Sequence, residues 1–118
     1  QTRWERQVGA LHDELRTLPL RVLLAAGFAT YLVKSPEDVR VATVDRWLEL
    51  AGPAAGRRFD VLQLLSSESE MLRWKAEGLP ADSLSMENAL VVLNTGERAP
   101  FLIDPATAAT RWLERHLA

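Results

Sequence analysis

Residues 100–117 read Pro100-Phe-Leu-Ile-Asp104-Pro105-Ala-Thr-Ala-Ala-Thr-Arg-Trp-Leu-Glu-Arg-His-Leu117, and this stretch decides the fold. Its apolar start predicts a short strand that ends at Ile103, and the residues after it predict a helix that begins directly behind the strand. Nucleotide-binding folds hold phosphate at such a bend, because free backbone N–H groups and the helix dipole both point at it. The stretch therefore predicts one βα unit with the shape of a nucleotide site.

The chemistry of a phosphate site is missing from this bend. A loop of the form GxxxxGK[ST] needs glycines that let the backbone wrap the anion, a lysine for the outer phosphates and a hydroxyl for magnesium. The corresponding positions hold Asp104, Pro105, Ala106, Thr107, Ala108, Ala109, Thr110 and Arg111. We expect Asp104 to be the N-cap and Pro105 the first helical residue. The cap should accept a hydrogen bond from the backbone of Ala106 or Thr107, so a carboxylate takes the place of phosphate. The sequence thus predicts a degenerate phosphate loop that binds neither nucleotide nor another cofactor.

The composition is that of a soluble globular protein. Of 118 residues, 47% are hydrophobic and 25% are charged, and the net charge of −2 comes without any basic block that would predict nucleic-acid binding. There is no cysteine, and the two histidines are too few for a zinc site. The sequence shows no charged, apolar, small-residue pattern typical of a signal peptide, and a cytosolic setting is permitted. Because the chain begins at Gln1, we expect it to be a piece of a longer protein.

An apolar seam runs along the N-terminal segment at alternating spacings of four and three residues: Trp4, Val8, Leu11, Leu15, Leu18 and Val22. This heptad pattern predicts a coiled-coil helix, and an ordinary amphipathic helix fits so short a repeat equally well. Pro19 predicts a break or kink, because proline disfavours the helical conformation of the residue before it.

A second helix is predicted from Leu20 to Lys34. It is apolar almost all round but shorter than the roughly 20 apolar residues of a membrane span, so we expect it to be buried in a protein core. Gly27 and the neighbouring alanines leave a thin face that another helix backbone could approach.

Caps and stop signals divide the middle of the chain into three further helices. Their predicted bounds are Ser35-Pro36 to Gly52-Pro53, Asp60 to Leu65, and Ser67 to Gly78. In the first of these, Ser35 is the expected N-cap and Pro36 the first helical residue. In the last, Ser67 and Glu70 have the spacing of a capping box. Arg57 and Arg58 are expected to be a solvated pair.

The segment from Met86 to Leu93 admits two structures. Ser85 as an N-cap favours a helix, whereas Val91-Val92 and the turn-like run Asn94-Thr95-Gly96 suit a hairpin with residues 101–103. The strand at 101–103 is predicted in either case. Because a lone strand leaves its backbone groups unpaired, we expect the rest of its sheet to lie beyond Ala118. The predicted fold class is mainly α, with helices and one short core strand.

Three runs together resemble the dynein heavy chains. That family carries the pattern W-x-x-x-G-L-P-x-D-x-x-S-x-E-N, then an apolar strand that ends in I-D-P, then a helix that contains a tryptophan. The matching residues here are Trp74, Gly78, Leu79, Pro80, Asp82, Ser85, Glu87, Asn88, Ile103, Asp104, Pro105 and Trp112. The combined spacing is specific, and the resemblance spans nearly the whole chain.

The resemblance implies two parts. Residues 1–18 would be the end of the stalk coiled-coil helix, and residues 19–118 the N-terminal part of a degenerate AAA+ module, the fifth of the motor ring. The fifth module of the family lacks a working phosphate loop. Members often have glycine at the position of Thr107 and lysine near Arg111, so both departures make nucleotide binding still less favourable. Residues 35–60 and 99–105 are most similar to the intraflagellar-transport branch.

The resemblance also implies a function. The chain would be a structural segment of a microtubule motor that links stalk to ring and transmits conformational change without hydrolysing nucleotide. The parent heavy chain would be a microtubule-dependent ATPase with ATP and magnesium at other modules, in the cytoplasm and cytoskeleton or in a cilium. Its expected partners are the rest of the heavy chain, namely the stalk partner helix and neighbouring modules, and through the parent protein the microtubule. Neither nucleic acid nor membrane is an expected partner.

Two other classes of function compete with this hypothesis. A helical interaction or adaptor module would show tryptophans exposed on a helix face, whereas core packing is the ordinary expectation for Trp4, Trp47, Trp74 and Trp112. An enzyme has little support, because the acidic pair Glu68 and Glu70 faces different sides of a helix and no nucleophile stands beside a base. We therefore predict no catalytic residue and no metal ligand.

Overall fold

The computed structural model describes residues 2–56, 59–94 and 96–118. The fold is 74% helical, which confirms the mainly α class. It forms two compact units, Gln1–Asp60 and Val61–Ala118. The predicted solvated pair Arg57 and Arg58, and Thr95 of the alternative hairpin turn, lie outside the described residues.

Helix α1 spans Arg3–Gly27 and begins at a capping box. The hydroxyl of Thr2 accepts from the backbone N–H of Glu5 at 3.3 Å, and the Glu5 carboxylate accepts from the backbone N–H of Thr2 at 2.9 Å. Of the break or kink expected at Pro19, the break is wrong, because α1 continues through this residue. Proline removes only one hydrogen bond, and Pro19 is exposed, so water can reach the carbonyl left free. Packing of the last turns of α1, where Leu24 and Ala25 are buried, keeps the chain helical beyond it.

A π-helical segment, Phe28–Leu32, follows α1 and carries the core of the first unit. The side chains of Phe28 and Leu32 are buried, whereas Leu23 is 65% and Tyr31 74% exposed. The expected all-round burial of this apolar helix is therefore wrong, since only one face of it is covered within the chain. Arg40 lies 4% exposed against the Phe28 ring. Its guanidinium donates to the carbonyls of Val33 and Ser35 at 2.8 and 2.9 Å.

Helix α2 spans Glu37–Ala51 and its N-cap is Pro36, so the assignment of Ser35 as cap is wrong. The backbone of Ser35 is used instead to close the π-helical segment, since its N–H donates to Leu32. The helix ends at Gly52 with φ +64°, as the glycine there predicted. A 3₁₀ turn, Gly52–Ala55, then packs against α1. The thin face at Gly27 meets the ring of Trp47 rather than a helix backbone.

Among its described residues, the second unit has four helices: α3 (Val61–Leu65), α4 (Glu68–Ala76), α5 (Ser83–Leu93) and α6 (Ala108–Leu117). The capping box of Ser67 and Glu70 is confirmed at the start of α4. Between the two structures considered for residues 86–93, the helix is correct. Its N-cap is Asp82 rather than Ser85, because the Asp82 carboxylate reaches both the N–H and the hydroxyl of Ser85 at 2.8 Å. The buried apolar side chains are Val61, Leu62, Trp74, Leu79, Met86, Ala89, Leu90 and Trp112.

The short strand expected at residues 101–103 does not form, and no strand occurs among the described residues. Phe101 is 91% and Ile103 86% exposed. A strand exists only when a neighbour accepts and donates its backbone hydrogen bonds, and the helices of this unit offer none. The apolar run therefore remains an exposed connection between α5 and α6.

Candidate functional site

The turn that the sequence predicts to be a degenerate phosphate loop is built around the carboxylate of Asp104. Its Oδ2 accepts from the backbone N–H of Thr110 at 2.8 Å and from the Thr110 hydroxyl at 2.9 Å. Helix α6 begins only at Ala108, so Asp104 is not the N-cap and Pro105 lies in the preceding turn. The carboxylate does not accept from Ala106 or Thr107 as predicted, because the turn brings it back over the third residue of the helix; the backbone N–H of Thr107 donates to the Asp104 carbonyl instead, at 3.1 Å.

Thr107 occupies the N-cap position in an unusual conformation. Its φ of +60° and ψ of +12° are left-handed, and no other non-glycine residue in the described part of the chain has a positive φ. A β-branched residue pays a steric cost there, whereas glycine does not. Its side chain makes no cap hydrogen bond, so the carboxylate of Asp104 takes over that role.

The electrostatics of the turn follow from these donors. The backbone N–H of Thr110 holds the pKa of the Asp104 carboxyl below its ordinary value, against an opposing effect of burial, and the N–H groups of Ala109 and Ala108 act in the same direction. The helix N-terminus is thus already neutralised by an internal anion. Around it stand apolar alanine side chains, and the side chain of Arg111 is exposed.

A second candidate site is the apolar stripe on α1, defined as Trp4, Val8, Leu11, Leu15, Leu18 and Val22. All six side chains are exposed, between 39% for Leu18 and 77% for Trp4. They lie on one face of a single helix, whose last turns are buried in the first unit. The arrangement supplies what a second helix would need for knobs-into-holes packing along the stripe.

The four tryptophans do not share one core. Trp74 and Trp112 are 3% and 2% exposed and meet edge to face, with ring centroids 6.3 Å apart. Trp47 is half-buried against Gly27 in the other unit, and Trp4 is exposed. Core packing is therefore confirmed for the pair in the second unit and wrong for Trp4.

The sequence analysis missed a polar cluster centred on Glu77. The carboxylate of Glu77 accepts from Trp112 Nε1 at 3.2 Å, from His116 Nδ1 at 2.8 Å and from Arg73 Nε at 2.8 Å. The sequence does contain one signal of this cluster. Glu77 follows the last turn of α4, where the helix dipole disfavours negative charge, and an acidic residue at such a place needs partners from elsewhere.

The described residues contain neither a metal-binding cluster nor a membrane-spanning helix. No group of three or more His, Cys, Asp or Glu side chains among them is arranged to hold a metal ion. None of the helices formed by those residues is both long enough and apolar enough to cross a bilayer.

Comparison with known proteins locates relatives of this chain. Residues 72–118 match the family described as the ATP-binding dynein motor region. Cytoplasmic dynein 2 heavy chain 1 of Chlamydomonas reinhardtii is 53% identical over 117 residues, which are 99% of this chain and 3% of that protein. The human protein of the same name is 50% identical over 98% of this chain, again 3% of its own length. The ciliary dynein beta chain of Heliocidaris crassispina is 32% identical over 96% of this chain. The chain thus spans about 3% of the length of the curated relatives it matches.

Proposed function

This chain belongs to the dynein heavy chain family, and we propose that it is a structural segment that joins the stalk of the motor to its AAA+ ring and transmits conformational change. The observation that carries the proposal is the form of α1. One uninterrupted helix presents an exposed apolar stripe along most of its length and buries its last turns in a packed unit.

The mechanical argument follows from the dimensions of α1. Its 25 residues extend about 37 Å. Because the helix does not break at Pro19, a displacement of the stripe by a partner helix is passed to the buried end instead of being absorbed at a joint. At that end, Leu24 and Phe28 are locked among other side chains, and Arg40 fixes the following carbonyls. The helix therefore acts as a lever held at one end.

The proposal includes an absence of nucleotide chemistry in this segment. The carboxylate of Asp104 occupies the N–H donors that would face a phosphate, and its charge repels an anion. Calorimetric titration of Mg-ATP into a protein that contains the complete module tests this. We expect no binding heat, and micromolar binding that disappears on Arg111→Ala would overturn this part of the proposal.

The lever is tested in a motor heavy chain that carries this segment. We expect Leu11→Asn combined with Leu15→Asn to abolish stimulation of ATPase activity by microtubules while the basal rate remains. The matched control replaces Asp13 and Arg16, which lie on the same turns but outside the stripe, by asparagine. Unchanged stimulation in the stripe variant would contradict the proposal, as would an equal loss in the control.

An adaptor module is the second candidate, and the exposure of Trp4 favours it. The two functions differ in the origin of the partner. A lever requires the partner helix to come from the same heavy chain, so a cysteine at position 8 should crosslink within one chain. An adaptor requires a separate protein, and crosslinks to another chain alone would favour it. By analogy with the names of the relatives, we place the parent protein in the cytoplasm and cilium as a cytoskeletal motor.

A further inference from the structure

We propose that Glu77 is a latch that holds helix α6 on the second unit, and that α6 docks and undocks as a whole when this latch closes and opens. Three side chains on one face of α6 converge on this single residue. Trp112 Nε1 and His116 Nδ1 donate to its carboxylate, and Arg115 Nη1 donates to its backbone carbonyl at 3.0 Å.

The latch seals an aromatic cluster. The side chains of Glu77 and His116 are only 14% and 15% exposed. Beneath them, the Trp112 ring stacks obliquely on the His116 ring with centroids 5.3 Å apart, and its other neighbour is the edge-on ring of Trp74. Undocking of α6 would expose both tryptophans, so the open and closed states differ in an observable way.

Basic groups from both α4 and α6 surround the Glu77 carboxylate. Burial raises the pKa of the Glu77 carboxyl, but the hydrogen bonds and charges of His116 and Arg73 outweigh it and hold the pKa below its ordinary value. The basic groups that face Glu77 are Arg73 from α4, and His116 and Arg115 from α6. His116 and Arg115 move with α6. An open latch would therefore leave Arg73 as the one basic group of these three beside the Glu77 carboxylate.

The geometry at Gly78 supports a close-fitting latch. Its φ is +100°, and a Cβ placed there would lie 2.6 Å from Arg115 Nη1. The small residue is therefore what lets the Arg115 guanidinium reach the carbonyl of Glu77. On the other side, α6 is tethered by residues 94–107, whose described members are not helical and end in the strained Thr107. The hydrogen bonds described from α6 to other helices all end on Glu77, so a helix on such an irregular tether can move once they open.

Hydrogen exchange measured by mass spectrometry on the full 118-residue chain tests the latch. We expect Glu77→Gln to speed amide exchange throughout α6 by about tenfold or more, which is the effect of losing one hydrogen bond to a charged group. An undocked helix of this length is marginal in water, so its amides should respond together. Exchange in α5 should stay within about twofold of the parent chain, since the hydrogen bonds described for Glu77 go to α4 and α6.

Two control variants separate the latch from simpler roles. Glu114→Gln removes a carboxylate charge, as Glu77→Gln does, but at an exposed position on α6. Arg73→Gln removes the ion pair on α4 without changing a residue of α6. Neither should change exchange in α6. Unchanged exchange of α6 in Glu77→Gln would overturn the proposal. A loss of protection that includes α5 would also overturn it, because Glu77 would then stabilise the whole second unit. A loss that Arg73→Gln reproduces would do the same, because Glu77 would then stabilise α4 rather than latch α6.

Discussion

Replacing Thr107 by glycine should stabilise the second unit, although it removes a side chain at a helix N-cap. The left-handed backbone at φ +60° costs a non-glycine residue about 1–2 kcal/mol, with a β-branched side chain toward the upper end. The Thr107 side chain is exposed and makes no cap hydrogen bond that would be lost. Against the gain stands the greater freedom of glycine in the unfolded chain, about 0.5–1 kcal/mol. The net expectation is a stabilisation of about 0.5–1 kcal/mol.

Thermal unfolding followed by tryptophan fluorescence measures this change, because Trp74 and Trp112 are the buried tryptophans and both lie in the second unit. For a unit of this size, the expected gain corresponds to a rise in Tm of about 2–8 °C. The matched control is Thr107→Ala, which keeps a Cβ and so keeps most of the strain, and which should gain less than glycine. A glycine variant that is less stable than the alanine variant would refute the assignment of strain to this backbone position.

Further outcomes are expected in both units. Gly27→Ala should destabilise the first unit, because the new Cβ would lie 3.2 Å from two ring carbons of Trp47. Gly9→Ala in the same helix meets nothing within 4 Å and should stabilise the first unit by about 0.5–1 kcal/mol. Urea denaturation compares the two variants, and equal effects would contradict the close approach of Trp47 to Gly27. Arg40→Met should cost about 2–4 kcal/mol in the same assay, since two carbonyls lose their donor in a buried place, and a loss below about 0.5 kcal/mol would contradict that role. Because the pKa of Asp104 is lowered in the folded chain, its stabilising contribution is present above its pKa in the unfolded chain and is lost as the pH falls through its pKa in the folded chain. Stability measured between pH 5 and pH 2 should therefore fall less steeply in Asp104→Asn than in the parent chain. Parallel profiles of the two proteins would argue against the Thr110 contact.

Local signals predicted the positions of most helices. The capping box at Ser67 and the stop at Gly52 depend on residues a few positions apart, and such short-range chemistry is the same in every fold. The heptad spacing predicted which face of α1 carries apolar side chains, and the resemblance predicted the family. The loss of phosphate binding at residues 104–111 stays a prediction, which rests on the missing glycines and lysine of that stretch.

Tertiary structure decided the points at which local signals compete with packing. Pro19 predicts a break, but the buried end of α1 outweighs one lost hydrogen bond. The apolar run at 101–103 predicts a strand, but a strand needs a partner that the chain's own helices do not provide. Asp104 and Ser85 have side chains that can cap a helix. Which backbone N–H groups such side chains reach depends on how the turn folds back. The cluster at Glu77 joins residues 35 to 39 positions apart, and no periodicity or short motif encodes which distant side chains will meet.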